Sequence, residues 1–424
     1  MPLFPSAFLR QILVVLAAAG TLSAGPPTAP PQADLAHDFD VFCQFVAEDY
    51  AYFDLKKTQW DKVCAEYRPR LEHVTDTAVL MTALESALGE LYDSHAHLGS
   101  SNRNSPRLIP TDADAWAAWE GEAAVIKEVR DESPAAKAGL EAGVRVLAIN
   151  GEPVVAAVRH RQPRFLSGPD PEAWSWALQS ALAGRQDGRP LRLEVLRNGQ
   201  RSTIEYLPTH QSATSALSFR RLDGALGYIR FHNSLGEMDT IRAFDHALDQ
   251  LKGSHGLILD LRDTPSGGTS LVARGIMGRL VRMDSPYQKH ELVAEARAMG
   301  IPRRWVEYVS PRGEPFTVPL VILVGRWTGS MGEGLAIGLN AIRNAPVIGT
   351  PMARMLGALG EIKLPGSGIV VRIPTEKLYH VNGIAREAFV PRPPRKDLPP
   401  GSGRDEALQT AMSTLELVPK DLQR

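Results

Sequence analysis

The chain has 424 residues, enough for about three domains at roughly 150 residues each. That length buries several cores without a dense disulfide framework. Its 47 Lys and Arg nearly cancel 48 Asp and Glu, which excludes a basic nucleic-acid footprint and an acidic solvating tail. Charged residues at 22% and hydrophobic residues at 44% exclude wholesale disorder, and no apolar run reaches the ~18 residues of a membrane span.

In chain order, Arg10, the apolar run from Ile12 to Ala19 and the small-residue end Leu22-Ser23-Ala24 read as a secretory signal over residues 1–24. A Pro-rich lead-in over 25–34 follows. Residues 35–104 read as a helical domain: Leu35, Phe39, Phe42 and Val46 recur at helical spacing, as do Leu80, Leu84, Ala87, Leu88 and Leu91. Trp60, Val63 and Tyr67 suggest a helix between them. Cys43 and Cys64 lie in this region, either as a staple between helices or as two buried thiols.

Residues 105–215 change to strands. Ala124-Val125-Ile126 and Val144–Ile149 are short strands around a Pro-started helix at Ser133-Pro134. Two more strands flank the hairpin signal Asn198-Gly199. A helix from Pro171 to Leu182 is inserted between them. From residue 216 to 424, apolar strands alternate with helices: Leu226–Phe231, Gly256–Leu261 and Val318–Val324 are the strands. This predicts a parallel or mixed sheet covered on both faces.

Three segments hold candidate chemistry. Val318–Val324 runs into Gly325-Arg326-Trp327-Thr328-Gly329-Ser330-Met331-Gly332 and then a helix. Ser330 there is either an exposed nucleophile beside free helix N–H groups or simply an N-cap. Thr328 breaks the Gly-x-Ser-x-Gly pattern. Asp260-Leu261-Arg262-Asp263-Thr264-Pro265-Ser266-Gly267-Gly268 lies at a strand's carboxyl end, where open α/β sheets place ligands, or is a plain Gly-rich turn. Asp93-Ser94-His95-Ala96-His97 offers a base, one of 11 histidines. His-x-His alone does not complete a metal site.

Together these segments resemble the C-terminal processing (tail-specific) serine peptidase family, in its tricorn-core branch. Leu88–His95 resembles the segment that carries the family's first catalytic residues. Ala124–Gly151 is similar to its PDZ domain. Gly227-Tyr228-Ile229-Arg230, the Asp260–Gly268 run and Thr328-Gly329-Ser330 resemble the protease core in order. The resemblance implies an α/β multidomain chain: helical N-terminal domain, PDZ-like β domain and crotonase/ClpP-like α/β protease core. It implies Ser330 as nucleophile, His95 as general base, Ser94 as its neighbour and Glu387 as the orienting carboxylate, with Glu376 or Glu361 as substitutes. Gly267, Gly268 and Met331 would form the oxyanion hole. The Gly-Lys-Gly setting of the Ser–Lys branch is absent after Gly349, and Arg354 cannot serve as a base; Lys363 lies further on, in an expected strand over residues 361–364.

The expected function is exported, periplasmic or secreted, serine endopeptidase activity on a polypeptide or peptide substrate. Neither metal nor cofactor, nucleic acid nor membrane span is expected. The rival is a catalytically inactive peptide- or lipid-binding protein on the same fold. A carboxylate-binding loop of the usual PDZ kind is replaced by Trp116-Ala117-Ala118-Trp119-Glu120-Gly121, whose tryptophans line a groove or pack into the core.

Overall fold

The computed structural model describes residues 34–209, 215–233, 235–394 and 405–417. The expected signal and the lead-in up to residue 33 lie outside the described residues. The helical unit comprises α1 (Leu35–Asp49), α2 (Trp60–Tyr67) and α3 (Thr77–Gly89). Asp34 caps α1 by accepting from the His37 N–H at 3.0 Å, and Asp76 caps α3 by accepting from Ala78 N–H at 2.8 Å. Phe39, Phe42, Val46, Val63, Leu80 and Leu84 are its buried face, so the helical periodicity is borne out.

Cys43 and Cys64 form a disulfide that joins α1 to α2 across 21 residues. Chain entropy assigns a crosslink over a loop of that length about 3 kcal/mol. Reduction with dithiothreitol, or Cys43→Ser, should therefore lower Tm by several degrees, measured by calorimetry; an unchanged Tm would contradict this.

The helical unit does not close its own core. After it, β1 (His97–Leu98) pairs with the distant β16 (Val370–Tyr379), and Leu364, Ile369, Val371 and Ile373 fill the same cluster as the helices. A unit of about 60 residues buries too little surface alone. Asp38, fully buried on α1, accepts from the Gly366 N–H (2.7 Å) and Ser367 N–H (2.6 Å) and so fastens the late turn to the first helix.

The second unit is a six-stranded antiparallel sheet: β2 (Ala115–Glu120), β3 (Ala123–Val129), β4 (Arg145–Ile149), β5 (Glu152–Pro153), β6 (Leu191–Arg197) and β7 (Gln200–Tyr206). Helices α4 (Pro134–Lys137), α5 (Val154–Arg159) and α6 (Pro171–Ala183) accompany it. The expected hairpin forms between β6 and β7, with Asn198 and Gly199 both at positive φ. Helix α6 packs on the edge strand β2. The buried Gln179 amide donates to the Ala117 carbonyl (2.6 Å) and accepts from the Ala117 N–H (3.2 Å), as a neighbouring strand would. Trp119 stacks on Trp174 at 5.1 Å, and Arg326 lies over Trp116 at 5.1 Å. Both tryptophans thus pack within the fold.

The third unit is a mixed sheet ordered β14-β13-β10-β9-β8, from β8 (Leu217–Leu222), β9 (Leu226–Phe231), β10 (Gly256–Asp260), β13 (Leu320–Val324) and β14 (Val347–Gly349). Only β8 runs antiparallel. Helices α7 (Asp239–Gln250), α8 (Ser270–Met277) and α10 (Met331–Arg343) belong to one buried cluster, and α11 (Glu406–Glu416) to another on the opposite face. Strands β10 and β13 are buried along their whole length, which explains their unbroken apolar sequence.

A further antiparallel sheet, β1-β16-β11-β12 with β15 on β16, is built from β11 (Ser285–Leu292), β12 (Arg303–Val309), β15 (Ala358–Lys363) and β16 (Val370–Tyr379); α9 (Val293–Met299) lies between β11 and β12. Of this sheet the sequence reading anticipated only the strand at 361–364.

Candidate active site

Ser330 stands at the N-cap of α10 with φ 49° and ψ −112°. A non-glycine residue held there is strained, and such strain is maintained only when the surroundings over-determine it. The surroundings do so here. Thr328, fully buried, donates to the Leu261 carbonyl (2.8 Å) and accepts from the Gly325 N–H (3.0 Å). Thr264 and Thr328 bridge the loops after β10 and β13. A Cβ on Gly332 would lie 2.4 Å from Thr264 Oγ1, so the loops meet this closely only because residue 332 is glycine.

The same closeness brings Gly267 to the serine. A Cβ on Gly267 (φ +63°) would lie 2.4 Å from Ser330 Cβ, 2.9 Å from Oγ and 3.0 Å from the Met331 nitrogen. Gly267→Ala should therefore displace Ser330, lowering kcat about 100-fold, and also cost stability, since the added Cβ is overpacked and held at positive φ. Parallel kinetics and urea melts check this; retained activity would show that the loops yield. The Gly267 N–H itself donates to the Thr264 carbonyl at 3.2 Å, and the Gly267 carbonyl accepts from Leu235. Gly268 lies against the Leu235 backbone, where a Cβ would approach to 2.3 Å.

His95 follows α3 in a turn held by Asp93. The Asp93 carboxylate accepts from the His95 N–H (2.9 Å) and from the Tyr50 hydroxyl (2.8 Å), and burial raises its pKa. The His95 ring is 3% exposed, and its Nδ1 lies 2.6 Å from the Leu356 carbonyl. A carbonyl only accepts, so Nδ1 carries the proton and Nε2 is the basic nitrogen. Burial first, then the Arg386 charge, lowers the His95 pKa to about 3.

A strap over residues 353–357 connects His95 to Ser330. Its carbonyls at Met355 and Gly357 both accept from Arg386 Nη2 at 2.8 Å, while Leu356 serves His95. Its amides are held by Glu333. That carboxylate, fully buried on the first turn of α10, accepts from Ser330 N–H (3.0 Å), Arg354 N–H (2.8 Å) and Met355 N–H (3.1 Å). Burial lifts its pKa to about 7 against the lowering by Arg386 and the three amides.

The structure thus brings Ser330, Met331, Gly267 and Gly268 together and ties His95 to them through the strap. Glu387 lies on the strap's flank: its carbonyl accepts from Arg354 Nε at 2.9 Å, and burial raises its pKa. Its Oε2 has no hydrogen-bond partner, and among the described residues no hydrogen bond joins it to His95. Neither substitute reaches the base. Glu376 pairs with His290 (2.9 Å), and Glu361 with Arg372 on the surface (3.0 Å). Ser94 is half-buried and lines a cavity of about 460 Å³ between the helical and PDZ units. Lys363 is exposed on β15.

Asp260 and Arg262 are structural. Buried Asp260 pairs with Arg262 (2.6 Å) and accepts from the Tyr228 hydroxyl (2.6 Å), while Arg262 also grips Asp405 at the start of α11. Glu333, Arg386 and the Leu356 carbonyl received no role from sequence reasoning. Only Glu333 had a legible signal, since Ser330 followed three residues later by Glu is a capping-box pattern.

A strained serine at a helix N-terminus, over-packed by a glycine of the neighbouring loop, marks the candidate site of this α/β core. Residues 225–389 match the model of peptidase family S41, residues 31–89 the tricorn protease C1 domain, and residues 125–163 a PDZ domain. Along the chain, regions similar to a tricorn C1 domain, a PDZ domain and the S41 peptidase family thus follow one another. The chain is 23% identical over 92% of its length to "Tricorn protease homolog 1" of Streptomyces coelicolor and 24% identical over 85% to "Putative tricorn protease homolog 2" of the same organism. It spans only 36% and 31% of those relatives. Among solved structures, its fold is similar to the photosystem II D1 C-terminal processing protease (TM-score 0.55, 18% identity, covering 90% of this chain and 97% of that one). It is likewise similar to mature CPAF (TM-score 0.57, 14% identity, covering 90% and 95%).

Proposed function

We propose that the protein is an exported serine endopeptidase that cleaves a polypeptide or peptide through an acyl-enzyme on Ser330. The observation that carries this reading is the approach of Gly267 to Ser330 Oγ and the Met331 nitrogen at a strained helix start. His95 Nε2 takes the Ser330 hydroxyl proton as Oγ attacks the scissile carbonyl. The Met331 and Gly268 N–H groups receive the oxyanion. Gly267, its own N–H engaged by Thr264, keeps the space beside Oγ open. His95 then protonates the leaving amine, and water attacks the acyl-enzyme by the reverse route. The Leu356 carbonyl, accepting from Nδ1–H, holds the tautomer and stabilises the imidazolium as it forms. The Cys43–Cys64 disulfide supports an oxidising compartment.

One observation favours the rival binding reading: burial and Arg386 leave His95 a weak base, with a pKa near 3. Incubation with a fluorophosphonate, followed by peptide mapping, separates the two. An adduct on Ser330 supports the peptidase, whereas an unmodified Ser330, with and without added peptide, sinks it.

A further inference from the structure

An edge strand offers unpaired backbone groups to which an extended peptide can add, and PDZ domains bind peptides in this way. In the PDZ-like unit β2 is such an end strand, in the order β2-β3-β4-β6-β7, with α6 along its open side. An added strand pairs with every second residue of its neighbour. On β2 the outward residue nearest the middle is Ala117, and both of its backbone groups are taken. Gln179 of α6, only 6% exposed, accepts from the Ala117 N–H at 3.2 Å and donates to the Ala117 carbonyl at 2.6 Å. One side-chain amide thus makes the two bonds that a peptide unit would make.

The trough between strand and helix is filled as well. Trp119 of β2 lies on Trp174 of α6, with ring planes 15° apart. Ala177, Leu178 and Ala181 of α6 share one buried cluster with Ala115 and Ala117. A peptide antiparallel to β2 would end beside the start of that strand, at residues 110–114. A terminal carboxylate needs free backbone N–H groups there. The Asp112 N–H instead donates to the Leu108 carbonyl (2.7 Å), and the Ala113 N–H to the Pro110 carbonyl (3.1 Å). Asp112 and Asp114, both buried, give the same segment two carboxylates, which would oppose a third. The segment is also bound to the protease core. The Ala113 carbonyl accepts from Trp327 Nε1 (2.7 Å), and the Thr111 hydroxyl donates to the Pro265 carbonyl (3.2 Å).

We infer that Gln179 closes the β2 edge to peptides, and that the protein selects its substrates without reading a chain terminus at its PDZ-like unit. The closed edge stands on the geometry by itself; the consequence for substrates rests on the peptidase reading. The unit is then a fixed wall of the molecule and not a tether for substrate tails. Cleavage depends on the residues around the scissile bond, so internal sites are cut whatever sequence ends the chain.

The test has one arm that needs no turnover. Full-length Ser330→Ala protein is mixed with about millimolar acetyl-Gly-Ser-Ala-Ala-Val, carboxyl free, and amide hydrogen exchange is followed over residues 115–120. We expect slow exchange at Ala117 before addition and the same rate after it. Slowing by about 10-fold or more on addition overturns the inference. In Gln179→Ala the Ala117 amide should exchange about 10-fold faster while β6 keeps its rate, which separates local opening from unfolding. An unaltered Ala117 rate in that variant also overturns the inference, and the peptide measurement stands if the variant does not fold. The second arm compares two fluorogenic peptides with one scissile segment, extended either by Ala-Ala-Val with a free carboxyl or by Gly-Ser-Gly-amide. Their kcat/KM values should agree within about twofold, and a tenfold preference for the free apolar tail overturns the inference. No cleavage of either, with Ser330 unlabelled by fluorophosphonate, removes the peptidase reading and leaves the exchange result to decide the closed edge.

Discussion

Ser330→Ala should lower kcat by about 10⁴- to 10⁶-fold, His95→Ala should lower it by a similar factor, and the double variant should be no worse than either. The hydroxyl is a poor nucleophile until its proton has somewhere to go, and the imidazole has no other task in the reaction. Each group is therefore useless without the other, and their losses do not add. Progress curves on a fluorogenic peptide, with active-site titration, provide the check. Losses that multiply in the double variant would mean that His95 and Ser330 act independently, and would direct attention to another base.

Glu333→Gln should lower kcat about 100-fold with little change in KM, and Glu333→Ala should also cost about 3–5 kcal/mol of stability, because it leaves the amides of Ser330, Arg354 and Met355 facing no acceptor. The carboxylate offers both oxygens to these three N–H groups. A glutamine offers one oxygen and turns an NH₂ toward the rest. The nucleophile's own amide and the strap that holds His95 then lose their common anchor.

The pH dependence gives a second readout. The amides fit the ionised carboxylate, so kcat should rise with pH through about 7, the folded pKa of Glu333. His95, with a pKa near 3, cannot produce that limb. The limb should vanish in Glu333→Gln. Stability moves the other way. Glu333 has a folded pKa raised above the ordinary 4.5, so the folded state binds more protons between those values. Its contribution is full below about 4.5 and is lost as pH rises to about 7, an effect of about 3 kcal/mol. His95 has a folded pKa depressed below 6.5. Its contribution is present above 6.5 and is lost as pH falls toward 3. Urea midpoints from pH 4 to 8 on Glu333→Gln and the unsubstituted protein resolve the first effect. Identical slopes in the two proteins would refute it. Function would thus require, near neutral pH, the buried charge that stability disfavours.

Much of the scaffold was legible because local physics governs it. The 3.6-residue spacing of Phe39, Phe42 and Val46 marks a helix that buries one face, and the unbroken apolar run of β13 marks a strand covered on both sides. The Asn198-Gly199 turn needs two positive φ angles and has the residues that tolerate them. Ser330 and Gly267 could be singled out because a strand-to-helix turn and a paired glycine are local features. The sheet of β11, β12 and β16 was illegible, since β11 pairs with β16 across 84 to 90 positions and the paired strands carry charges on both faces, with Lys289, Glu291 and Lys377 on one and Glu376 on the other.

By itself the sequence determined the order of units, the buried strands, the Ser330 turn and the histidine segment, because each depends on neighbours in the chain. Tertiary structure alone decided what the histidine leans on. The Leu356 carbonyl, rather than a Glu387 carboxylate, sets its tautomer, and the Glu333 carboxylate joins the strap to the serine. A backbone carbonyl has no sequence signature. A buried glutamate gains its role only when three amides from separate parts of the chain converge on it.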